Sequence, residues 1–126
     1  MNSISEFKPA FMTLEERGPV VVARISRANL SEEENIEELW QEFLTLVEYY
    51  GCRRLALDLH YVSMVTSAAL GKFISLHRNL HRKAGHLVVC GVQGMVQDVM
   101  STARLTDYFT MASTADDAVV LLNNAV

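Results

Sequence analysis

Short runs of β-formers alternate with stretches of helical periodicity, and this alternation constrains the fold more than any other feature of the chain. Phe11-Met12-Thr13-Leu14-Glu15 and Val20-Val21-Val22-Ala23-Arg24-Ile25 are separated by the turn residues Gly18-Pro19. This pattern predicts an N-terminal hairpin. Asn29 or Ser31 is then expected to cap a helix whose apolar positions Ile36, Leu39, Trp40, Phe43, Leu46 and Val47 step by three or four, with Gly51 ending it. The apolar run over 53–59 predicts an interior strand covered on both faces. A helix from about Ala68 to Ala84 follows, with Leu70, Phe73, Ile74, Leu76, His77 and Leu80 on or near its inner face and Gly85 as its stop. A strand over 86–92, a short helix over 96–103, a short strand over 108–111 and a last helix capped by Thr114 complete the pattern. The predicted order β-β-α-β-α-β-α-β-α implies right-handed βαβ crossovers, hence an α/β fold with a mostly parallel sheet.

A chain of 126 residues, half of them hydrophobic and 21% charged, has the size and balance of one globular domain spanning 1–126. Its formal net charge of -4 gives no electrostatic reason to expect nucleic acid as a partner. No apolar run approaches the ~20 residues that cross a bilayer. The start, Met1-Asn2-Ser3-Ile4-Ser5-Glu6, lacks the basic and apolar segments of a signal peptide. Cys52 and Cys90 lie in or beside apolar strand-like runs without a partner motif, so they are expected as unpaired core thiols. The expected compartment is the cytoplasm.

The candidate chemistry is sparse. His77 and His81 stand four residues apart, a spacing that can bring two imidazoles to one metal, but no third ligand accompanies them. They read as surface or half-buried histidines beside Arg78, Arg82 and Lys83, cations that suit a helix C-terminus. Glu32, Glu33, Glu34, Glu37 and Glu38 read as a solvated face that favours a helix start. Ser67 follows a strand and opens a helix, yet Val65-Thr66-Ser67-Ala68-Ala69 lacks the Gly-x-Ser-x-Gly frame of a nucleophile elbow. Gly91-Val92-Gln93-Gly94 reads as a turn and not as a phosphate loop. No constellation supports enzymatic turnover, and no metal or cofactor is implied. What remains is the corner at Thr66 and Ser67, where hydroxyls meet the open N–H groups of a helix start. Helix capping explains them, and so does a phosphorylatable switch.

The string from Leu55 to Gly71 resembles the STAS domains of bacterial anti-sigma factor antagonists. Their pattern is an apolar Leu-Asp-Leu strand and a short bridge to Asp-Ser-Ser-Gly-Leu-Gly at a helix start. Here Leu57-Asp58-Leu59 supplies the strand end and Thr66-Ser67-Ala68-Ala69-Leu70-Gly71 the hexapeptide. Gly85 to Cys90, Val96 to Leu105, Phe109 and Ala115 to Leu122 extend the similarity, which runs from about Val20 to the C-terminus. The resemblance implies a STAS-like (SpoIIAA-like) α/β fold: a mixed, mostly parallel β-sheet with about four helices packed on it. It also implies an anti-sigma factor antagonist (anti-anti-sigma factor) whose partners are an anti-sigma factor of the GHKL-type serine kinase class and a PP2C-type phosphatase. Nucleic acid and membrane are not expected as partners, and the oligomeric state implied is a monomer or weak dimer. Ser67 matches the phosphorylated serine, with Thr66 as second choice. The implied partner interface is Thr66, Ser67, Ala68, Ala69 and Gly94. Thr66 replaces the family's Asp, Ala68 its second Ser and Ala69 its Gly. Two other readings accompany this one: a STAS scaffold or sensor that is never phosphorylated, and a small nucleotide- or lipid-binding module.

Overall fold

The computed structural model describes residues 3–125. Its centre is a five-stranded sheet in the order β1-β2-β4-β6-β7. Strands β1 (Met12–Arg17) and β2 (Val20–Ile25) form the expected antiparallel hairpin around Gly18-Pro19, with Gly18 at φ +61°. Strands β2, β4 (Arg54–Asp58), β6 (His86–Cys90) and β7 (Thr110–Ala112) then run parallel. A separate two-residue parallel ladder joins β3 (Asn29–Leu30) to β5 (Met64–Val65), pairing Asn29 with Met64 and Leu30 with Val65. Among the described residues the α-helices are α1 (Glu33–Leu44), α2 (Ser67–Arg82), α3 (Gly94–Thr102), the single turn α4 (Leu105–Tyr108) and α5 (Ala115–Asn123).

Alternation along the strands divides the interior into two layers. Val21, Ala23, Ile25, Leu55, Leu57, Leu87 and Val89 face one side and pack with Leu39 and Phe43 of α1, Phe73 and Leu76 of α2, and Met100 of α3. Val20, Val22, Ala56, Val88 and Cys90 face the other side and pack with Ala118, Val119 and Leu122 of α5. Strand β4 is therefore covered on both faces, as its near-continuous apolar run requires. Phe43 and Phe73 meet edge to face with centroids 6.3 Å apart, a geometry worth about 1 kcal/mol beyond burial alone. Cys52 and Cys90 are buried free thiols, as expected. Burial pushes both up to about 12, so they stay protonated.

Several boundaries differ from the sequence reading, each for a local reason. Asn29 belongs to β3 and Ser31 precedes the helix; the N-cap position of α1 is Glu32, which makes no side-chain cap bond. The helix then widens into a π turn over Thr45–Tyr49 before Gly51 at φ +74°. Tyr108 lies in α4 and not in a strand, because the α4 turn lets Phe109 point inward, where it is 3% exposed. At the end of α2, Ala84 takes the left-handed conformation at φ +58°, not Gly85. Gly85 donates its N–H to the Leu80 carbonyl at 2.7 Å and Ala84 to that of His81 at 3.1 Å, which is a Schellman closure. Glycine is needed at 85 for space: an added Cβ would lie 2.6 Å from the Arg53 carbonyl oxygen.

Ala84→Gly is expected to raise the unfolding free energy by about 1 kcal/mol through relief of left-handed strain. Gly85→Ala is expected to lower it by about 2 kcal/mol through the clash with the Arg53 carbonyl. Urea unfolding of the two variants tests both signs; destabilisation by Ala84→Gly would contradict the assignment of the strained position.

Candidate functional site

Strand β4 ends on an ion pair whose carboxylate is buried and whose guanidinium is half-buried. The register of β2 and β4 places Arg24 opposite Asp58, and Arg24 Nε donates to Asp58 Oδ2 at 2.8 Å. The Asp58 side chain is only 6% exposed, and that guanidinium is its charged partner. The hydrogen bond in turn holds the Arg24 guanidinium above its ordinary range, against an opposing effect of desolvation. The other carboxylate oxygen, Oδ1, accepts from the His60 N–H at 3.0 Å and so starts the turn that leaves the sheet. Arg24 and Asp58 were not singled out as a pair from the sequence. The signal was present, as each is the one charged residue among apolar neighbours, in 20–25 and in 55–59.

Past that turn the chain is hung on the segment before α1. The Ser63 and Met64 N–H groups donate to the Ala28 carbonyl at 2.8 and 3.1 Å, and the Thr66 N–H donates to that of Leu30 at 3.2 Å. Thr66 is the N-cap of α2: its Oγ1 accepts from the Ala69 N–H at 3.3 Å and donates to the Leu30 carbonyl at 3.4 Å. Both capacities of that hydroxyl are thereby used. Ser67 is the first residue of the helix and is exposed. Thr66 and Ser67 thus have different physical roles, one as cap and one as presented hydroxyl.

The remaining sequence-derived residues divide by exposure. Ala68 is exposed beside Ser67, whereas Ala69 is fully buried beneath the corner. Gly94, exposed and at φ +58°, opens α3, which packs against β5. The Gln93 side chain donates to the His60 carbonyl at 3.1 Å, tying the start of α3 to the turn after β4. Ser67, Ala68 and Gly94 therefore belong to one end of the molecule.

His77 and His81 lie far along α2 from this corner. Their rings stack with centroids 6.2 Å apart, and His77 also packs against Tyr108 at 4.9 Å and Phe109 at 5.9 Å. His77 Nδ1 is buried without a hydrogen-bond partner. Among the described residues no group of three or more His, Cys, Asp or Glu side chains is placed to hold a metal ion. His77 is a packing residue of the α2–α4 contact, held below its ordinary value of 6.5 first by burial and then by His81. Likewise, no helix among the described residues is long and apolar enough to cross a membrane.

The parallel sheet, the corner after its central strand and the succession of helices coincide with a known family. The STAS domain family model matches residues 11–118, and the chain belongs to that family. No curated protein sequence matches it. Among solved structures, a putative anti-sigma factor antagonist from Thermotoga maritima is 16% identical with a TM-score of 0.79, over 90% of this chain and 95% of that one. An anti-sigma factor antagonist from Mycobacterium paratuberculosis is 19% identical with a TM-score of 0.78, over 90% and 93%. The Bacillus cell fate determinant SpoIIAA in its phosphorylated form is 18% identical with a TM-score of 0.67, over 88% and 98%. At these identities the likeness establishes a SpoIIAA-like fold.

Two outcomes are expected. Thr66→Ala should lower stability by about 1 kcal/mol through loss of the cap, while Ser67→Ala should leave it within about 0.5 kcal/mol; equal losses in denaturant titrations would contradict the division of roles. The second concerns pH. Because the folded state lowers the His77 pKa, the unfolded chain binds more protons just below 6.5, and stability falls as pH falls through that value. His77→Phe removes this term, so between about pH 7.5 and about pH 5.5 its Tm should drop less than that of the wild type. An equal drop in the two proteins would contradict the assignment.

Proposed function

We propose that the protein is an anti-sigma factor antagonist that acts by binding and is switched by phosphorylation of Ser67. The observation that carries this reading is the exposed Ser67 hydroxyl at the first position of the sixteen-residue helix α2, with the neighbouring Thr66 hydroxyl already committed to the cap. A phosphate there adds about −1.5 to −2 charge and three acceptor oxygens. Its own domain tolerates it, because the first turn of a helix offers open N–H groups and the positive end of the dipole. A partner seated on the corner does not, since the phosphate intrudes on a fitted surface and loses water without a counter-charge. One modification thus dissociates a complex while the fold persists.

Membership of the STAS family and the likeness to SpoIIAA, solved in unphosphorylated and phosphorylated forms, support this reading. The partner is an anti-sigma factor of the GHKL-type serine kinase class, and a PP2C-type phosphatase reverses the modification. The contact surface comprises Ser67, Ala68 and Gly94, with Thr66 at its edge and Ala69 supporting it from below. Thr66 in place of the family's Asp leaves the cap in place but removes a fixed negative charge beside the serine. Kinase recognition at this site therefore works without that charge.

Incubation with the cognate kinase and ATP should add one phosphate to Ser67, seen by mass spectrometry and abolished in Ser67→Ala. Ser67→Glu should weaken partner binding by about tenfold or more at unchanged Tm. Phosphorylation elsewhere in Ser67→Ala would refute the assigned position. Full binding by Ser67→Glu would make the corner a constitutive scaffold contact.

A further inference from the structure

Three large apolar side chains stand exposed around the corner: Tyr61 at 61%, Met64 at 42% and Met95 at 55%. They come from the turn after β4, from β5 and from the first turn of α3. The Gln93–His60 hydrogen bond and the packing of α3 on β5 bring these segments together. Apolar side chains gathered at one exposed place mark a surface that a partner covers. Their rim is acidic. The chain leading into α1 is hydrogen-bonded to Thr66 through Leu30, and two residues later it carries exposed Glu32, Glu33 and Glu34, with Glu38 one turn on. The Lys72–Glu37 bridge, 3.5 Å long, sets α1 and α2 side by side with both starts at the corner. Two cations of these elements already have acidic partners: Lys72 is engaged by Glu37 and Arg24 by Asp58.

We infer that the corner docks a protein surface with an apolar centre and a rim of lysine or arginine, Met64 and Met95 entering the centre and the α1 glutamates facing the cations. The inference rests on the reading of the Ser67 corner as the partner interface, and it specifies the chemistry of that partner. A second copy of this chain is disfavoured as occupant, because the two acidic rims would oppose each other. The centre and the rim do different work. The glutamates attract the partner from a distance, whereas Ser67 lies beside the apolar centre. A phosphate on Ser67 therefore meets the partner's apolar centre and not its cations, which is why added negative charge breaks a complex with a basic partner.

The test uses the serine kinase that phosphorylates Ser67 and measures its association and dissociation rates with this chain. Glu33→Lys combined with Glu34→Lys should slow association about tenfold at low salt and flatten its salt dependence, with dissociation little changed. Met95→Ser should leave association unchanged and speed dissociation by about fivefold or more. If the lysine variant fails to fold by circular dichroism, Glu33→Gln with Glu34→Gln should give a slowing of about threefold. Unchanged or faster association of a folded charge variant overturns the inference and leaves the interface reading intact. Absence of any complex with the kinase overturns both.

Discussion

A single charged contact inside an apolar sheet sets the geometry on which the corner depends. Arg24 and Asp58 face each other across β2 and β4, and a slip of one strand by one residue would put the two charges on opposite faces and turn that strand's apolar side chains to the wrong layer. Asp58 also receives the His60 N–H, so the carboxylate that locks the register is the one that bends the chain out of the sheet. From there the path to α2 is dictated by main-chain bonds to Ala28 and Leu30. The position of Ser67 is therefore built from the sheet centre outward and depends little on the residues immediately around it.

Much of this was legible in the sequence because it rests on periodicity. The hairpin around Gly18-Pro19, the doubly covered β4 and the Thr114 cap, whose Oγ1 accepts from the Asp117 N–H at 3.1 Å, all follow from local patterns. What local patterns do not contain are contacts between distant segments. The β3–β5 ladder joins residues 29–30 to 64–65 with two residues a side, too short to leave a strand signature. It also displaces Asn29 from the cap it was expected to fill. Ala84 illustrates a second limit: propensity assigns the left-handed position to the glycine, but packing against Arg53 claims that glycine for its lack of a Cβ. At the corner, the assignment of the cap to Thr66 needed the hydrogen bonds of its hydroxyl, which spacing along the chain cannot give.

The corner separates holding from presenting. A carboxylate at the cap would stabilise the helix start and also place a charge beside the Ser67 hydroxyl. Threonine caps through a neutral oxygen and leaves the field at Ser67 to be set by groups on another helix. Acidic character is thereby moved from the strand-to-helix turn to the first turns of α1, where it lies at the periphery of the surface.

The two buried thiols carry a consequence of a different kind. Cys90 is sealed between β4, β7 and α5, and Cys52 where the π turn meets β4; both are held protonated by their surroundings. Thiols in that state do not react with alkylating reagents until the chain around them opens. The molecule thus contains two unreactive probes at separate points of its interior. Labelling at Cys90 times the parting of the sheet, and labelling at Cys52 times the release of the end of α1, so their relative rates record whether the domain opens as one unit or piece by piece.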